Sequence, residues 1–566
     1  MKIDISIIIG GEAGQGIQTV GQLLALACRQ AGMYVMAVND FESRIRGGHS
    51  FFQVRISDRP VQAPDHRIHL LVALDEKTVQ AHAAEMVPGG IIIMEKESGL
   101  NKNVVSVPFI ELARQAGARI TSNTVAAGAC LALLGAPFSI MKRILSEQFG
   151  QKSRDILEKN IKAAELGFGA VKGTSFKWAF SWKETRPRGI LMEGSKAVAL
   201  GALAGDCRVG AFYPMSPATS IMAHLASFSG HCPVVVEQAE DEIAAVNMVI
   251  GASFAGARAM TATSGGGFSL MVEGLGLAAI TETPIVIVNA QRPGPATGLP
   301  TRTAQADLHF VIRASQDEFP RFVFAPGTPE EAYDITARAF ELSEKYQVPV
   351  IVLVDQYFND SLFTIEQPLA APRKIERFIV GDKDMKNPGA YQRFAITPSG
   401  VSPRALPCMG KALVVVSSDE HREDGHISET ISDRVHMVDK RQAKWPAMLS
   451  EMRPPQGYHE DSDILLIGWG STKGAIQEAV DQLRKKGLDA GSLHFTDLWP
   501  FPDSAVKTAL QKKKKIFMVE QNTTAQLGQL IRQQTGLGFS DAILKYDGRP
   551  FYPIEIVEGI FDRKDF

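Results

Sequence analysis

Four stretches in the middle of this chain concentrate residues suited to chemistry on a flat, charged ligand. In EIAAVNMVIGA (242–252), Glu242 stands nine residues ahead of Gly251, with small apolar residues between them at helical spacing. A carboxylate at such a helix start can share a proton with a ring nitrogen laid against it. Alone, Glu242 reads more readily as an acid favoured by the helix dipole. In TATSGGGFSLM (261–271) a strand-like run ends in Gly265, Gly266 and Gly267. Without side chains, a backbone can lie close to a planar ring there. Phe268 either covers that ring or is plain core. NAQRPGPATGLPTRTAQADL (289–308) follows another strand-like run, and AFYPMSPATS (211–220) precedes both.

A fifth candidate lies at the N-terminus, in IIIGGEAGQGIQTVG (7–21). Ile7, Ile8 and Ile9 suit a buried strand. Val20, Leu23, Leu24 and Ala27 fall at helical spacing, and YVMAVND reads as a second strand. Glycines at 11, 14 and 16 allow a tight turn beneath the helix N-terminus, where an anion could sit. Gly14 and Gly16 meet the first half of GxGxxG, but Thr19 replaces the third glycine. Asp40 ends the second strand where a ribose-binding acid would stand, and strand-ending loops commonly carry Asp. A packing turn and a nucleotide or coenzyme site both remain open on this pattern.

The elements that must position these residues alternate strand and helix along the chain. FFQVRIS, HLLVALD, GGIIIMEK and VVSVP continue the first block to about residue 175. SFKWAFSWKETRPRG breaks the pattern, giving a linker over 176–189. A second block spans 190–365, with strands in CPVVVEQ, RAMTATSG, TPIVIVNAQ and PVIVLVD. Residues 366–455 are rich in Pro, Gly and charge, without clear elements. DILLIGWGS, DAGSLHFTDLWPF and KKIFMVEQN open a third block over 456–566. The expected fold class is α/β and multidomain, with three parallel-sheet domains covered on both faces.

Bulk properties narrow the function. At 566 residues the chain exceeds what one core serves. Net charge of -2 gives no nucleic-acid or anionic-membrane surface, and the basic run from Lys512 to Lys515 reads as a solvated helix end. There is no membrane-length apolar run and no secretory signal pattern, so a cytoplasmic location is expected. Cys28, Cys130, Cys207, Cys232 and Cys408 are scattered, without a CxxC pair, so no metal or iron–sulfur site is expected on this chain.

A Glu before a glycine-ended helix recurs in thiamine-diphosphate enzymes, where it contacts the aminopyrimidine and helps activate the thiazolium carbon. More specifically, YPMSPATS resembles the YPITPS-type motif of 2-oxoacid:ferredoxin oxidoreductases. EDEIAAVNMVIGASFAGARAMTATSGGGFSLM and QRPGPATGLPTRTAQADL resemble the same family's pyrimidine-binding domain. RIRGGHSFFQVRIS (44–57), with the opening glycine turn, resembles its gamma segment, and VEQNTTAQLGQLIR (519–532) its transketolase-C-terminal-like domain. The order also agrees, and the resemblance covers nearly the whole chain. It implies an alpha subunit with a gamma domain (1–175) fused ahead of pyrimidine-binding (190–365) and transketolase-C-terminal-like (456–566) domains. The 2-oxoglutarate branch fits best.

The resemblance assigns roles position by position. Glu242 matches the cofactor-activating acid. Arg292 matches the Arg that pairs with the substrate's 1-carboxylate, a task suited to its planar fork. Thr301 and Ser216 match hydroxyls at the same end of the substrate. Tyr213, Pro214, the three glycines and Phe268 surround the cofactor. Arg302 either meets the distal carboxylate of 2-oxoglutarate or faces water. Two departures from the family stand out: Ser216 and Met215 replace the usual Thr and Ile, and Gly265–Gly267 replace a turn that is often GPG. Neither removes a needed group, though both touch the pocket's shape. The gamma domain is not a hydride-transfer domain; in relatives it lies near the coenzyme A path, which keeps an anion turn at Gly14, Gln15 and Gly16 in view. The chain has no GDG with following Asn pair. The family places that Mg-diphosphate site, and the iron–sulfur cluster, on a beta subunit. The expected assembly is a dimer of heterodimers that passes electrons to ferredoxin and uses coenzyme A. Two other readings stand against it: a nucleotide-dependent dehydrogenase built on the N-terminal turn, and a non-catalytic scaffold subunit of the same fold.

Overall fold

A computed structural model describes residues 3–43, 47–96, 103–174, 182, 187–385, 387–511 and 513–563. Arg44, Ile45 and Arg46 of the RIRGGHS motif, most of the 176–189 linker and Lys512 lie outside the described residues. The chain divides into two units. The first holds Met1–Glu193, Ser361–Pro368 and Phe551–Glu558; the second holds Gly194–Asp360, Leu369–Pro550 and Gly559–Phe566.

The first unit is built on an eight-stranded sheet with Asp4–Ala13 near its centre. Side chains alternate across this strand. Ile7 and Ile9 enter one core with Leu24, Val54 and Ile144, while Ile8 joins Leu71 and Ile92 on the other face. The helix Ile17–Gln30 follows, and Val20, Leu23, Leu24 and Ala27 are buried as their spacing predicts. The expected parallel order is only partly found. Asp4–Ala13 pairs parallel with Ile68–Ala73, but Gly47–Ser57 lies antiparallel between it and Tyr34–Asp40. The reason is visible in FFQVRIS. Phe52, Val54 and Ile56 face the core, while Gln53 and Arg55 alternate with them and are satisfied on the other face. Gln53 donates to Ser6 Oγ at 2.8 Å, and Arg55 pairs with Asp4 at 2.8 and 2.9 Å. Alternation of this kind suits an antiparallel strand.

The second unit carries two sheets. In the seven-stranded sheet, Val235–Gln238, Cys207–Phe212, Arg258–Thr263, Ile285–Gln291, Pro349–Asp355 and Phe322–Phe324 run parallel, and Asp497–Trp499 adds antiparallel at one edge. Pro349–Asp355 is buried at every position, as expected of a parallel strand covered on both faces. The five-stranded sheet is ordered Gln456–Tyr458, Ala490–Phe495, Ile464–Trp469, Lys515–Glu520 and Asp541–Leu544. One hydrophobic core runs through both: Ile287 and Leu353 of the first sheet cluster with Ile467, Trp469 and Leu493 of the second. Three α/β sheets are thus present, two of them largely parallel and the first mixed, in the multidomain α/β class the sequence predicts.

Residues 366–455 are mostly irregular, with helices at Ile431–Gln442 and Trp445–Ser450. Buried charge secures them. Lys440 and Lys444 donate to Glu282 at 2.5 and 2.6 Å, and Arg393 donates to the Glu282 carbonyl at 2.8 Å. Among the described residues, no helix is long and apolar enough to cross a membrane.

Candidate active site

Each mid-chain motif directly follows a parallel strand. Tyr213 and Pro214 leave Cys207–Phe212. Glu242 opens the helix after Val235–Gln238. Gly265 follows Arg258–Thr263, and Arg292 follows Ile285–Gln291. All four therefore sit at the carboxyl edge of one sheet, where α/β folds bind ligands.

Glu242 begins the helix Glu242–Phe254, whose N-cap, Asp241, accepts from the Ala244 amide at 2.7 Å. That cap fixes the helix start and so the root of Glu242. The Glu242 side chain is 3% exposed, and its Oε1 has no hydrogen-bond partner. Such an oxygen carries a desolvation cost of about 1–3 kcal/mol unless a donor reaches it. Gly267 packs directly against this carboxylate. A Cβ on Gly267 would stand 2.0 Å from Thr263 Oγ1 and 2.6 Å from Glu242 Oε1. Only a glycine fits there, because the Thr263 hydroxyl and the Glu242 carboxylate already fill the space a side chain would take.

The three glycines are not a loop, as the sequence suggests, but the first turn of the helix Gly265–Leu270. Glycine is a poor helix former, and tertiary contact decides here. Gly265 lies against Asp307 and Gly267 against Glu242, whereas Gly266 is open. Phe268 is fully buried and meets Phe310 edge-on at 5.3 Å, so of the two readings left by the sequence it takes the core one.

Arg292 is half-buried. Its Nη1 donates to the Ser216 carbonyl at 2.7 Å, while its Nε is buried without a partner. Burial lowers its pKa, and the Glu242 charge acts in the opposite sense. Ser216 thus contributes its carbonyl to Arg292, and its exposed side chain remains beside it. Thr301 is buried. Arg302 packs its stem against Gly548 and donates from Nη1 to the Thr301 carbonyl at 3.3 Å. Tyr213 is 37% exposed at the strand end.

Several site residues escaped the sequence reading. Thr261, Thr263, Ser264 and Asn289 each hold a buried side-chain oxygen without a partner, at or beside the same strand ends. Asp307, inside QADL, has its pKa raised to about 6 by burial, opposed by a hydrogen bond from Asn289. Gln305 anchors the segment beyond Arg292. It donates to the Trp469 carbonyl at 2.7 Å, and its own carbonyl accepts from Asn522 at 3.0 Å. The VEQN motif is part of that anchor. Glu520, fully buried, accepts from Trp469 Nε1, Asn522 Nδ2 and the amides of Leu527 and Gly528 at 2.9–3.1 Å.

In the first unit, Gly14 and Gly16 have φ of 92° and 80°, the left-handed region glycine favours. Gly16 caps Ile17–Gln30 without a side-chain bond. The Gln15 side chain folds back to accept from the Glu12 amide at 2.9 Å. Gly14 and Gln15 are exposed, and Asp40 is buried. Cys28, Cys130 and Cys207 are buried, with burial raising each thiol pKa, to about 12 for Cys28 and Cys207.

Comparison with known proteins agrees with this layout. The family models "Pyruvate ferredoxin/flavodoxin oxidoreductase", "Pyruvate flavodoxin/ferredoxin oxidoreductase, thiamine diP-bdg" and "Pyruvate:ferredoxin oxidoreductase core domain II" match residues 6–170, 200–440 and 462–556. The chain is 34% identical to a Sulfolobus 2-oxoacid:ferredoxin oxidoreductase subunit alpha, over 98% of this chain and 96% of the relative. It is 32% identical to the 2-oxoglutarate synthase subunit KorA of Methanothermobacter marburgensis, over 66% of this chain and 98% of that one. Among solved structures it matches the 2-oxoglutarate:ferredoxin oxidoreductase of Magnetococcus marinus, determined with 2-oxoglutarate, coenzyme A and succinyl-CoA bound. The TM-score is 0.90 at 30% identity, covering 99% of this chain and 100% of that one. With such coverage from end to end, the chain belongs to the 2-oxoacid:ferredoxin oxidoreductase family, as an alpha subunit.

Proposed function

We propose that this chain is the gamma-fused alpha subunit of an enzyme that oxidatively decarboxylates a 2-oxoacid, with 2-oxoglutarate preferred. The products are an acyl-CoA and carbon dioxide, and two electrons pass to ferredoxin. The observation that carries this reading is the buried, unpartnered Glu242 Oε1, packed against the glycine turn at Gly267. These residues fit the aminopyrimidine of thiamine diphosphate, whose thiazolium carbon, when bound, supplies the nucleophile and the electron sink. Glu242 holds a proton at the pyrimidine ring nitrogen. The turn of Gly265 to Gly267 lets the ring approach the backbone at Gly266, its open face, and Tyr213 and Pro214 close the strand end beside it.

Arg292 orients the substrate. Its Nη1 is committed to the Ser216 carbonyl, which turns the Nε–Nη2 edge toward a 1-carboxylate for bidentate pairing. Thr301 and the Ser216 hydroxyl bound the same end. Arg302 meets the distal carboxylate of 2-oxoglutarate, a preference supported by the branch of the KorA relative and by the 2-oxoglutarate bound in the Magnetococcus marinus structure. The turn at Gly14, Gln15 and Gly16, at the start of the helix Ile17–Gln30, meets an anionic part of coenzyme A, although the Gln15 amide itself donates to the Glu12 carbonyl at 3.2 Å.

A beta subunit supplies Mg for the diphosphate and the iron–sulfur cluster, and two such pairs assemble. The sequence supports this division: it has no GDG, and the three buried thiols are held protonated. The test is to purify the chain alone and with its partner. Alone it is colourless and reduces no dye with any 2-oxoacid. With the partner, thiamine diphosphate, Mg and coenzyme A, activity returns and is greatest on 2-oxoglutarate. A brown, active preparation of this chain alone overturns the proposal.

A further inference from the structure

Asp307 occupies the N-cap of the helix Leu308–Arg313, yet its side chain makes no capping bond. Aspartate at that position ordinarily accepts from an amide in the first turn. Here the carboxylate turns away and packs on Gly265. A Cβ on Gly265 would stand 2.3 Å from Asp307 Oδ2 and 2.9 Å from Oδ1. Two further bonds fix the residue. Asn289 Nδ2 donates to Oδ2 at 3.1 Å, and the Asp307 amide donates to Gln291 Oε1 at 3.1 Å. Asn289 lies directly opposite Thr263 in the register of the paired strands Arg258–Thr263 and Ile285–Gln291. The carboxyl therefore wedges between the strand end and the start of the glycine turn. Gly267, two residues on, presses against Glu242. The two carboxyls brace one helical turn, at Gly265 and at Gly267.

We propose that Asp307 is a positioning residue for Glu242: by bracing Gly265 it holds Gly267 against the Glu242 carboxylate, at the distance the cofactor's pyrimidine needs. The forgone cap and the burial of the carboxyl are the costs of that placement. Among the described residues, no charged side chain acts on Asp307. Its polar neighbours are Asn289 and Gln291, while His309, on its own helix, is engaged with the Gln526 carbonyl at 2.8 Å.

The inference rests on the assignment of Glu242, so the test separates the two. In the enzyme purified with its partner subunit, deuterium exchange at the thiazolium carbon of bound thiamine diphosphate is measured for Glu242→Gln, Asp307→Ala, Asp307→Asn and the double variant Glu242→Gln/Asp307→Ala. The cofactor dissociation constant is followed in parallel. Asp307→Ala is expected to slow exchange by about 10–100-fold, the cost of a misplacement near 1 Å. Its KM for the 2-oxoacid stays unchanged, and Asp307→Asn, which keeps the shape, recovers most of the loss. In the double variant the loss is no greater than in Glu242→Gln alone, because Asp307 acts through Glu242. Normal exchange in Glu242→Gln overturns the assignment of Glu242. Slow exchange there with normal exchange in Asp307→Ala, or full additivity in the double variant, overturns only the role of Asp307. Should Asp307→Ala not fold, Gly265→Ala probes the same contact from the other side, and wild-type exchange in that variant refutes the brace.

Discussion

Gly267→Ala tests the contact on which the proposed cofactor site rests. The new Cβ would stand 2.6 Å from Glu242 Oε1 and 2.0 Å from Thr263 Oγ1. The Thr263 hydroxyl has no hydrogen-bond partner and can turn to another rotamer for about 1 kcal/mol. Glu242 has less freedom, because its helix start is held by the Asp241 cap. Reaching an ordinary contact near 3.4 Å requires its carboxylate to retreat by about 0.8 Å. A hydrogen bond to the pyrimidine of about 2.8 Å would then stretch to about 3.6 Å, beyond bonding range. Losing a bond to a charged group costs about 1.5–3 kcal/mol, or roughly 10–150-fold in rate. Overpacking adds about 1–3 kcal/mol of destabilisation, read from the shift of the urea unfolding midpoint. The assay is deuterium exchange at the thiazolium carbon in the assembled enzyme, run beside unfolding. Wild-type exchange with an unchanged unfolding midpoint would show that Gly267 does not back the Glu242 carboxylate, and the reasoning would fail.

Arg292→Lys keeps the charge but removes the fork, so kcat/KM should fall for every 2-oxoacid tried, by about 2–4 kcal/mol in equivalent terms; equal values for wild type and variant would refute the pairing. Arg302→Ala should weaken 2-oxoglutarate more than pyruvate in competing steady-state assays, and an equal effect on both would remove Arg302 from substrate selection. Glu282→Gln strips the counter-charge from buried Lys440 and Lys444 and should destabilise the second unit by about 3–5 kcal/mol in urea unfolding. The neighbouring cations hold Glu282 far below the usual carboxylate pKa, so its contribution is present at neutral pH and lost as pH falls below about 4; an unfolding curve with the same acid dependence in both proteins would contradict this. Asp307 has the opposite sign. Its folded pKa of about 6 exceeds the unfolded value, so its share of stability is full below about pH 4 and lost as pH rises through 6; Asp307→Asn should flatten that window in a pH series of melting curves.

What the sequence could show depended on the range of the interaction. Four motifs, each ending a parallel strand, had to meet at one sheet edge, and Glu242, the glycines and Arg292 do so. The helical state of Gly265–Leu270 was hidden, because local propensity argues against it and the stabilising contacts come from Asp307 and Glu242. The mixed order of the first sheet was written in the alternation of FFQVRIS, but a strand pattern alone does not name its neighbours. Asp307 lay inside the QADL motif without a role; its missing cap bond exists only in three dimensions. The VEQN residues read as a family signature, and the structure shows the physics beneath it, with a buried carboxylate satisfying Trp469, Asn522 and a helix start.

The edge strand Asp497–Trp499 has a consequence for synthesis on the ribosome. Phe322–Phe324 emerges long before the segment that covers it, and until residue 499 is made its free amides and carbonyls face solvent. An uncovered parallel edge is slow to close and prone to pair with another chain. The nascent protein therefore passes through a long window in which its seven-stranded sheet is unfinished, and a chain released at residue 455 would expose that edge permanently. Early termination or slow translation of the last hundred residues should yield aggregate rather than a soluble fragment bearing Glu242 and Arg292.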